Sequence, residues 1–292
     1  MAVTDGEFLY AYFGSRGLYC LDMDGEIKWK RDFGQMSKRM EFGEGSSPAL
    51  FGNKLFIVWD HQGDSFIVAV DKKTGKDVWK KDRDEITSWS TPLIVSVNGK
   101  PQVVVSATKR VRGYDLDSGE LIWECGGLTD NVIPAPLEAG GILYVMSGYR
   151  GNALLAIRLA NAKGDITGSD AIVWSLDRDT SYAPSGLLYD DKLYFLTSNN
   201  GILNCFDAKT GKEYYKGERL EGLGNLYSSP TAAQGRIYII GNKGKTFVIQ
   251  HGPAFKILAQ NQLDDSFNAS PVILDNEIYL RGYDKFYCIA EK

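Results

Sequence analysis

Apolar positions along this chain come in short bursts with period-two alternation, and no stretch keeps a helical spacing for the length of a helix. One burst recurs almost unchanged: residues 54–58 read KLFIV, 142–146 ILYVM, 192–196 KLYFL and 236–240 RIYII. Val, Ile, Tyr and Phe dominate these runs, and Gly-Asn, Asp-Gly and Thr-Gly pairs interrupt them, so the elements predicted are strands joined by tight turns.

Polar landmarks between the bursts repeat as well. Asp71 to Trp79 reads DKKTGKDVW, Asp115 to Trp123 reads DLDSGELIW, and Asp207 to Tyr215 reads DAKTGKEYY with tyrosine in the tryptophan place. A version one residue shorter runs from Asp22 to Trp29, and degenerate copies lie around Gly164 to Trp174, with an insertion, and around Gly252 to Ile257. Upstream of each unit, small residues and a proline open an apolar strand, as at Pro48, Pro92, Pro136, Pro230 and Pro271, with a looser version at Pro184. The first three prolines stand 44 residues apart. A period of about 40–45 residues belongs to propeller blades or helical arrays, and the strand chemistry excludes the second. Each unit therefore reads as strands A, B, C and D, with the Thr-Gly turn between C and D and the tryptophan on D. Glycine supplies the positive φ of the turn, and the indole packs against the next unit.

The expected fold is an all-β propeller of about seven four-stranded antiparallel blades in a single domain, residues 1–292. The blades fall at roughly 1–44, 45–88, 89–132, 133–181, 182–226, 227–267 and 268–292. The last unit has strands A to C and no tryptophan strand, and the first has only Ala2-Val3-Thr4 where strand A should begin. An incomplete last blade with an exposed edge, and dimerisation through that edge, are the expectations that follow.

Composition adds exclusions. A net charge of −4 with a pI near 5.4 argues against nucleic acid as partner. No apolar run has the length of a transmembrane segment, and the N-terminal residues lack the basic start and apolar stretch of a signal peptide. Cys20, Cys205 and Cys288 occupy matching places in LYCLD, LNCFD and FYCIA, where small buried side chains are expected. No Cys-x-x-Cys pair exists, and the only histidines, His61 and His251, lie in different units, so neither a zinc site nor a Ser-His-Asp relay is expected.

The repeated x-Leu-x-x-x-Asp-x-x-Thr-Gly-x-x-x-Trp pattern, covering residues 3 to 290, resembles the pyrroloquinoline-quinone-like, or tryptophan-docking, repeat of bacterial β-propellers. That family holds quinone-dependent alcohol and sugar dehydrogenases. It also holds a larger set of non-catalytic propellers, including the outer-membrane assembly lipoprotein and many uncharacterised bacterial members. The resemblance implies the fold, and an extracytoplasmic (periplasmic or secreted) setting for the full-length protein. The dehydrogenases carry calcium or a lanthanide, a catalytic Asp and adjacent disulfide-bonded cysteines; no two cysteines are adjacent here, and no motif marks a metal site. The leading expectation is thus a non-catalytic scaffold that binds a protein segment or a carbohydrate on its loop face, with no cofactor. The alternative is a quinone-dependent oxidoreductase, or a fragment of one, using pyrroloquinoline quinone with calcium.

Candidate binding residues follow from the blade scheme. The D-to-A connections and B-to-C turns should share one face. Just before strand A sit Trp89, Ile133, Tyr182, Tyr227 and Asn268, with Phe267 beside the last, and the aromatics among them suit stacking on a sugar ring or planar ligand. The B-to-C turns carry Arg16, His61, Lys109, Arg110, Arg150, Lys243 and Arg281, which would form a basic rim on an acidic protein; Arg150 and Arg281 are the two assigned to ligand binding. The longest connection, 34–45, contains Met36, Arg39, Met40 and Phe42 and is the expected partner contact.

Overall fold

A computed structural model of the chain describes residues 2–290, and among these the strands form seven sheets. Six follow the meander order A-B-C-D, and the last contains three strands, Val272–Leu274, Glu277–Arg281 and Phe286–Ala290. The fold is an all-β, seven-bladed propeller of four-stranded antiparallel sheets whose last blade has three strands. The chain divides into two compact units: residues 1–145 with 155–173, and residues 146–154 with 174–292.

The Asp-x-x-Thr-Gly turn is built by its own side chains. Asp71 Oδ1 accepts from Thr74 N and Thr74 Oγ1, both at 2.9 Å, and Asp207 Oδ1 accepts from Thr210 N (2.7 Å) and Thr210 Oγ1 (2.6 Å). In the third blade Ser118 stands for threonine and donates to Asp115 from N (2.8 Å) and Oγ (2.9 Å). These donors stabilise the carboxylate, so Asp115 and Asp207 are held below the ordinary aspartate range.

The turn glycine serves a second purpose. Gly75, Gly119 and Gly211 have φ of +67°, +70° and +70°, and each receives the indole of the preceding blade. A Cβ on them would stand 2.8 Å from Trp29 Cε3, 2.6 Å from Trp79 Cε3 and 2.6 Å from Trp174 Cδ2. The indole Nε1 then donates to the carbonyl that follows the turn aspartate: Trp29 to Lys72 O (3.1 Å), Trp79 to Leu116 O (3.1 Å), Trp174 to Ala208 O (2.9 Å). Repeat spacing and seam packing are therefore one requirement. At these three seams the indole of one blade packs on the turn glycine of the next and donates to a carbonyl beside it.

Apolar side chains fill the seams. Trp79 lies with Phe56, Val58 and Ala69 of its own blade against Val103, Val105 and Leu116 of the next. Burying such an indole stabilises the seam by about 3–5 kcal/mol.

Three sequence expectations are corrected. Ala2–Thr4 pairs with Phe8–Tyr12 as an ordinary strand A, because the A strands Ala49–Phe51, Leu137–Ala139 and Leu187–Tyr189 are also three residues long. The insertion in the degenerate copy around Gly164 to Trp174, to which the sequence assigned no structure, forms a strand. Gly164–Asp165 pairs in parallel with Leu121–Cys125 as a fifth strand of the third sheet, and Ile166 beyond it enters the apolar seam beside Trp123. Cys20, Cys125 and Cys205 are buried, but Cys288 is exposed, since no D strand covers it in the last sheet. Burial pushes the Cys125 and Cys205 thiols up to about 11.

Candidate functional site

The D-to-A connections and B-to-C turns do meet on one side of each blade. Thr108 N donates to Ser88 Oγ (3.0 Å), Tyr182 N to Ser198 O (3.0 Å) and Phe267 N to Asn242 O (3.1 Å). The long 34–45 connection belongs to the first unit and is pinned along its length there. Met36 N donates to Ser15 Oγ (2.8 Å), and Ser37 N donates to His61 Nδ1 (2.9 Å). Arg39 pairs with Asp130 at 3.1 Å, and Gly43 O accepts from Trp89 Nε1 at 3.1 Å. Glu44 closes the loop by accepting from Ser15 N (2.5 Å) and Ser15 Oγ (2.7 Å). Burial pushes the Glu44 carboxyl up, but these donors and Lys38 at 3.6 Å outweigh it and leave it below the usual glutamate range.

The loop's crest is what this anchoring presents. Met40 and Glu41 adopt φ of +50° and +57°, and Met40 and Phe42 remain 67% and 51% exposed. The Phe42 ring centroid lies 6.4 Å from that of Trp89, so two candidate groups assigned separately from sequence form one surface. Met36 is different: it is half-buried against the Tyr12, Trp59 and Phe66 cluster and anchors the loop. Beside the loop opens a cleft of about 1020 Å³ lined by Phe13, Arg16, Tyr19, Lys30, Lys38 and Glu44, among others. Phe13, 59% exposed and edge-on to Tyr19 at 5.9 Å, was not singled out from sequence because it lies on a B-to-C turn with no repeat signature.

In the third blade the expected basic rim is neutralised. Arg110 pairs with Asp165 (2.9 Å) and Glu124 (3.4 Å), and Lys109 lies 3.8 Å from Asp84. His61 is buried. Asp60, which precedes it, forms a fully buried bidentate pair with Arg83, Nε to Oδ1 at 2.8 Å and Nη2 to Oδ2 at 3.0 Å. Arg112 bonds Glu85 (2.7 Å), Asp84 (2.5 Å) and Glu124 (3.0 Å). Desolvation pushes the Glu85 carboxyl up. This network holds the connection from strand D of the second blade in shape; its charges face one another.

In the second unit the candidates separate into four places. Tyr182 stacks on Tyr149 with centroids 5.1 Å apart and planes at 26°, and the Arg150 guanidinium lies 5.4 Å from the Tyr149 centroid. Tyr149 is an addition to the sequence set. Tyr227 is 48% exposed. Phe267 is 1% exposed and packs with Ile240 and Leu280, so its place is in the core and not on a ligand face. Asn268 donates from Nδ2 to Tyr283 Oη (2.8 Å), and these two residues with Arg281 line a shallow depression of about 280 Å³.

Among the described residues no three His, Cys, Asp or Glu side chains are grouped as metal ligands would be. Among the described residues no helix is long and apolar enough to cross a membrane.

A family model described as outer membrane protein assembly factor BamB matches residues 1–217. The chain belongs to this family. A curated relative, the outer membrane protein assembly factor BamB of Francisella salina, is 30% identical over 173 residues, which are 59% of this chain and 30% of that protein's length. The matched stretch is therefore under a third of that relative. Among solved structures, BamB from Moraxella catarrhalis superposes with a TM-score of 0.73 over 98% of this chain and 82% of its own, at 15% identity. A computationally designed protein, Ika8, reaches 0.70 over 99% and 82%, also at 15% identity. A europium-containing methanol dehydrogenase reaches 0.59 over 98% and 81%, at 13% identity. At these identities the structural likeness establishes the fold alone, and a designed protein and an enzyme share it with the assembly factor.

Proposed function

We propose that this chain is a non-catalytic propeller that binds a protein segment on the loop face of its first unit, without a cofactor. The observation that carries the proposal is the 34–45 loop. Polar contacts along its length hold it in shape, yet it raises Met40 and Phe42 into solvent next to Trp89 and an open cleft. A pre-shaped loop that exposes large apolar side chains lowers the ordering cost of binding, and Met with aromatic side chains is the composition of contact-surface centres. The adjoining cleft is polar, with Arg16 and Lys30 beside Asp32 and with Lys38 facing Glu44, and suits a segment that carries polar side chains. Membership in a family of outer membrane protein assembly factors supports, by likeness, a partner drawn from that assembly process on the periplasmic side.

Carbohydrate is the weaker ligand for the aromatic candidates. Tyr149 and Tyr182 already use one ring face each on the other, which leaves less aromatic surface for a sugar. Site-specific photocrosslinking in bacteria tests the reading, with a benzophenone amino acid at position 42 and, as control, at the exposed outer-strand residue Val78. A discrete protein adduct at position 42, lost on Met40→Glu and absent at position 78, is the expected outcome. Identical adduct patterns at both positions would remove the loop from the proposal.

A further inference from the structure

The 34–45 loop is held near its middle by a histidine that can serve it in only one protonation state. Ser37 N donates to His61 Nδ1 at 2.9 Å. A backbone amide can only donate, so Nδ1 must present its lone pair. The proton of the neutral ring then falls to Nε2, which lies 3.2 Å from Asp64 O. Ser37 is gripped from its other side as well, since Gln62 N donates to Ser37 O at 3.0 Å. Loop and turn are clamped together by these hydrogen bonds, and one of them needs a bare ring nitrogen.

The ring has little room to turn away. His61 is 8% exposed and lies on Gly63, where a Cβ would stand 2.5 Å from His61 Cε1, with buried Trp59 edge-on at 6.0 Å. Its backbone is fixed through Ser65 Oγ, which accepts from His61 N (3.0 Å) and donates to Glu85 O (3.0 Å). The charged groups around the clamp are already matched. On the turn, Asp60 pairs with Arg83, and Asp64 offers its carbonyl to Nε2. On the connection before the third blade, Glu85 pairs with Arg112; on the loop, Lys38 pairs with Glu44 (3.6 Å) and Arg39 with Asp130 (3.1 Å). Glu44 is held below the usual glutamate range, so it stays charged in mild acid. Burial pushes the Glu85 carboxyl up, but its oxygens bond Lys109 N (2.9 Å) and Arg110 N (3.1 Å), and those amides report on it separately.

We infer that His61 makes the 34–45 loop a pH-sensitive strap. The neutral ring holds Ser37 down. The protonated ring turns an N–H toward the Ser37 N–H, and the middle of the loop lets go. The clamp is therefore complete above the range in which imidazoles take up a proton and is lost as pH falls through it. On either side stand anchors made by groups that do not titrate there: Met36 N on Ser15 Oγ before the clamp, and Gly43 O under Trp89 Nε1 after it. The segment set free lies between them and carries the exposed Met40 and Phe42. The inference concerns the free protein and does not rest on what the loop binds.

Imidazole nitrogen NMR and amide exchange on the purified chain test it. At about pH 8 the His61 ring should be neutral with its proton on Nε2. Between about pH 8 and about pH 5, protection of the Ser37 amide, measured against the intrinsic exchange rate at each pH, should fall at least about tenfold as the ring protonates. His61→Asn puts an amide oxygen where Nδ1 stood, an acceptor that takes up no proton, and protection should then stay level over that range. A neutral ring carrying its proton on Nδ1 would overturn the inference without any variant. So would Ser37 protection that holds across the range in the wild type, or that falls as far in His61→Asn as in the wild type.

Discussion

Gly119→Ala tests whether the Thr-Gly turn is a packing surface or only a turn. At φ +70° any Cβ is strained, which costs about 1–2 kcal/mol for an L-residue in the left-handed region. The new methyl carbon would also stand 2.6 Å from Trp79 Cε3 and 2.7 Å from Cδ2. Its remaining close neighbour, Lys81 Cε at 3.1 Å, is the end of a flexible chain and swings aside. Forcing the ring out of a packed seam, where Trp79 is 9% exposed and bonded to Leu116 O, adds about 1–3 kcal/mol. The total expected is roughly 2–5 kcal/mol. Gly99 provides the control: φ is +77°, but nothing lies within 4 Å of the point a Cβ would occupy, so Gly99→Ala should cost only the backbone share of about 1–2 kcal/mol. The decisive comparison is in the Trp79→Ala background. There the ring is gone, at a cost of about 3–5 kcal/mol, and Gly119→Ala should fall back to the Gly99 value, a coupling of about 1–3 kcal/mol between contacting sites. Urea unfolding followed by far-ultraviolet dichroism and tryptophan fluorescence reads each value. Gly119→Ala costing the same in both backgrounds, within about 0.5 kcal/mol, would refute the idea that the indole seats on the glycine.

Three further outcomes are expected. Asp60→Asn leaves the fully buried Arg83 guanidinium without a counter-charge and should lower stability by about 3–5 kcal/mol; an Asp60→Leu/Arg83→Met pair should recover much of it, and a single-variant loss near zero in the urea midpoint would contradict the buried pair. Asp165 is held down to about 2, first by the Thr167 hydroxyl, then by Thr167 N and Arg110. Its folded value lies below its unfolded one, so its contribution is complete above roughly pH 4 and is lost as pH falls toward 2. The protection of the Thr167 amide and of Gly126, which donates to Thr167 Oγ1, measured against the intrinsic exchange rate at each pH, should fall over that window, and Asp165→Asn should remove that change. Native protein should show one fast thiol toward dithiobis-nitrobenzoate, Cys288, with Cys20, Cys125 and Cys205 reacting only on unfolding; two or more fast thiols would sink the burial assignment.

The repeat was legible in the sequence because blade geometry is local. An aspartate that bonds its own turn, a glycine at positive φ and an alternating strand all act over a short stretch of chain, so the one-dimensional pattern carries them. The register of the sixth outer strand was not legible. The sixth copy of the turn is degenerate, and only the pairing with Val248, beside the bulge, shows that Ala259 stands in the tryptophan register. The fifth strand at Gly164–Asp165 was equally hidden, since an insertion in one blade gives no sign that it will pair with the strand before it.

The candidate site divides in the same way. Its residue types and their placement on connecting loops were readable from the blade scheme, which is why Trp89, Met40 and Phe42 were named. Burial and pairing were not, because they depend on what lies a whole blade away along the chain. Phe267 is in the core since Ile240 and Leu280 close over it, and Lys109 and Arg110 are paired since Asp84, Glu124 and Asp165 arrive from other segments. The sequence by itself determined the blade, through turn chemistry and strand period. Only the tertiary structure decided which side chains face solvent, because exposure is set by neighbours that the local pattern does not contain.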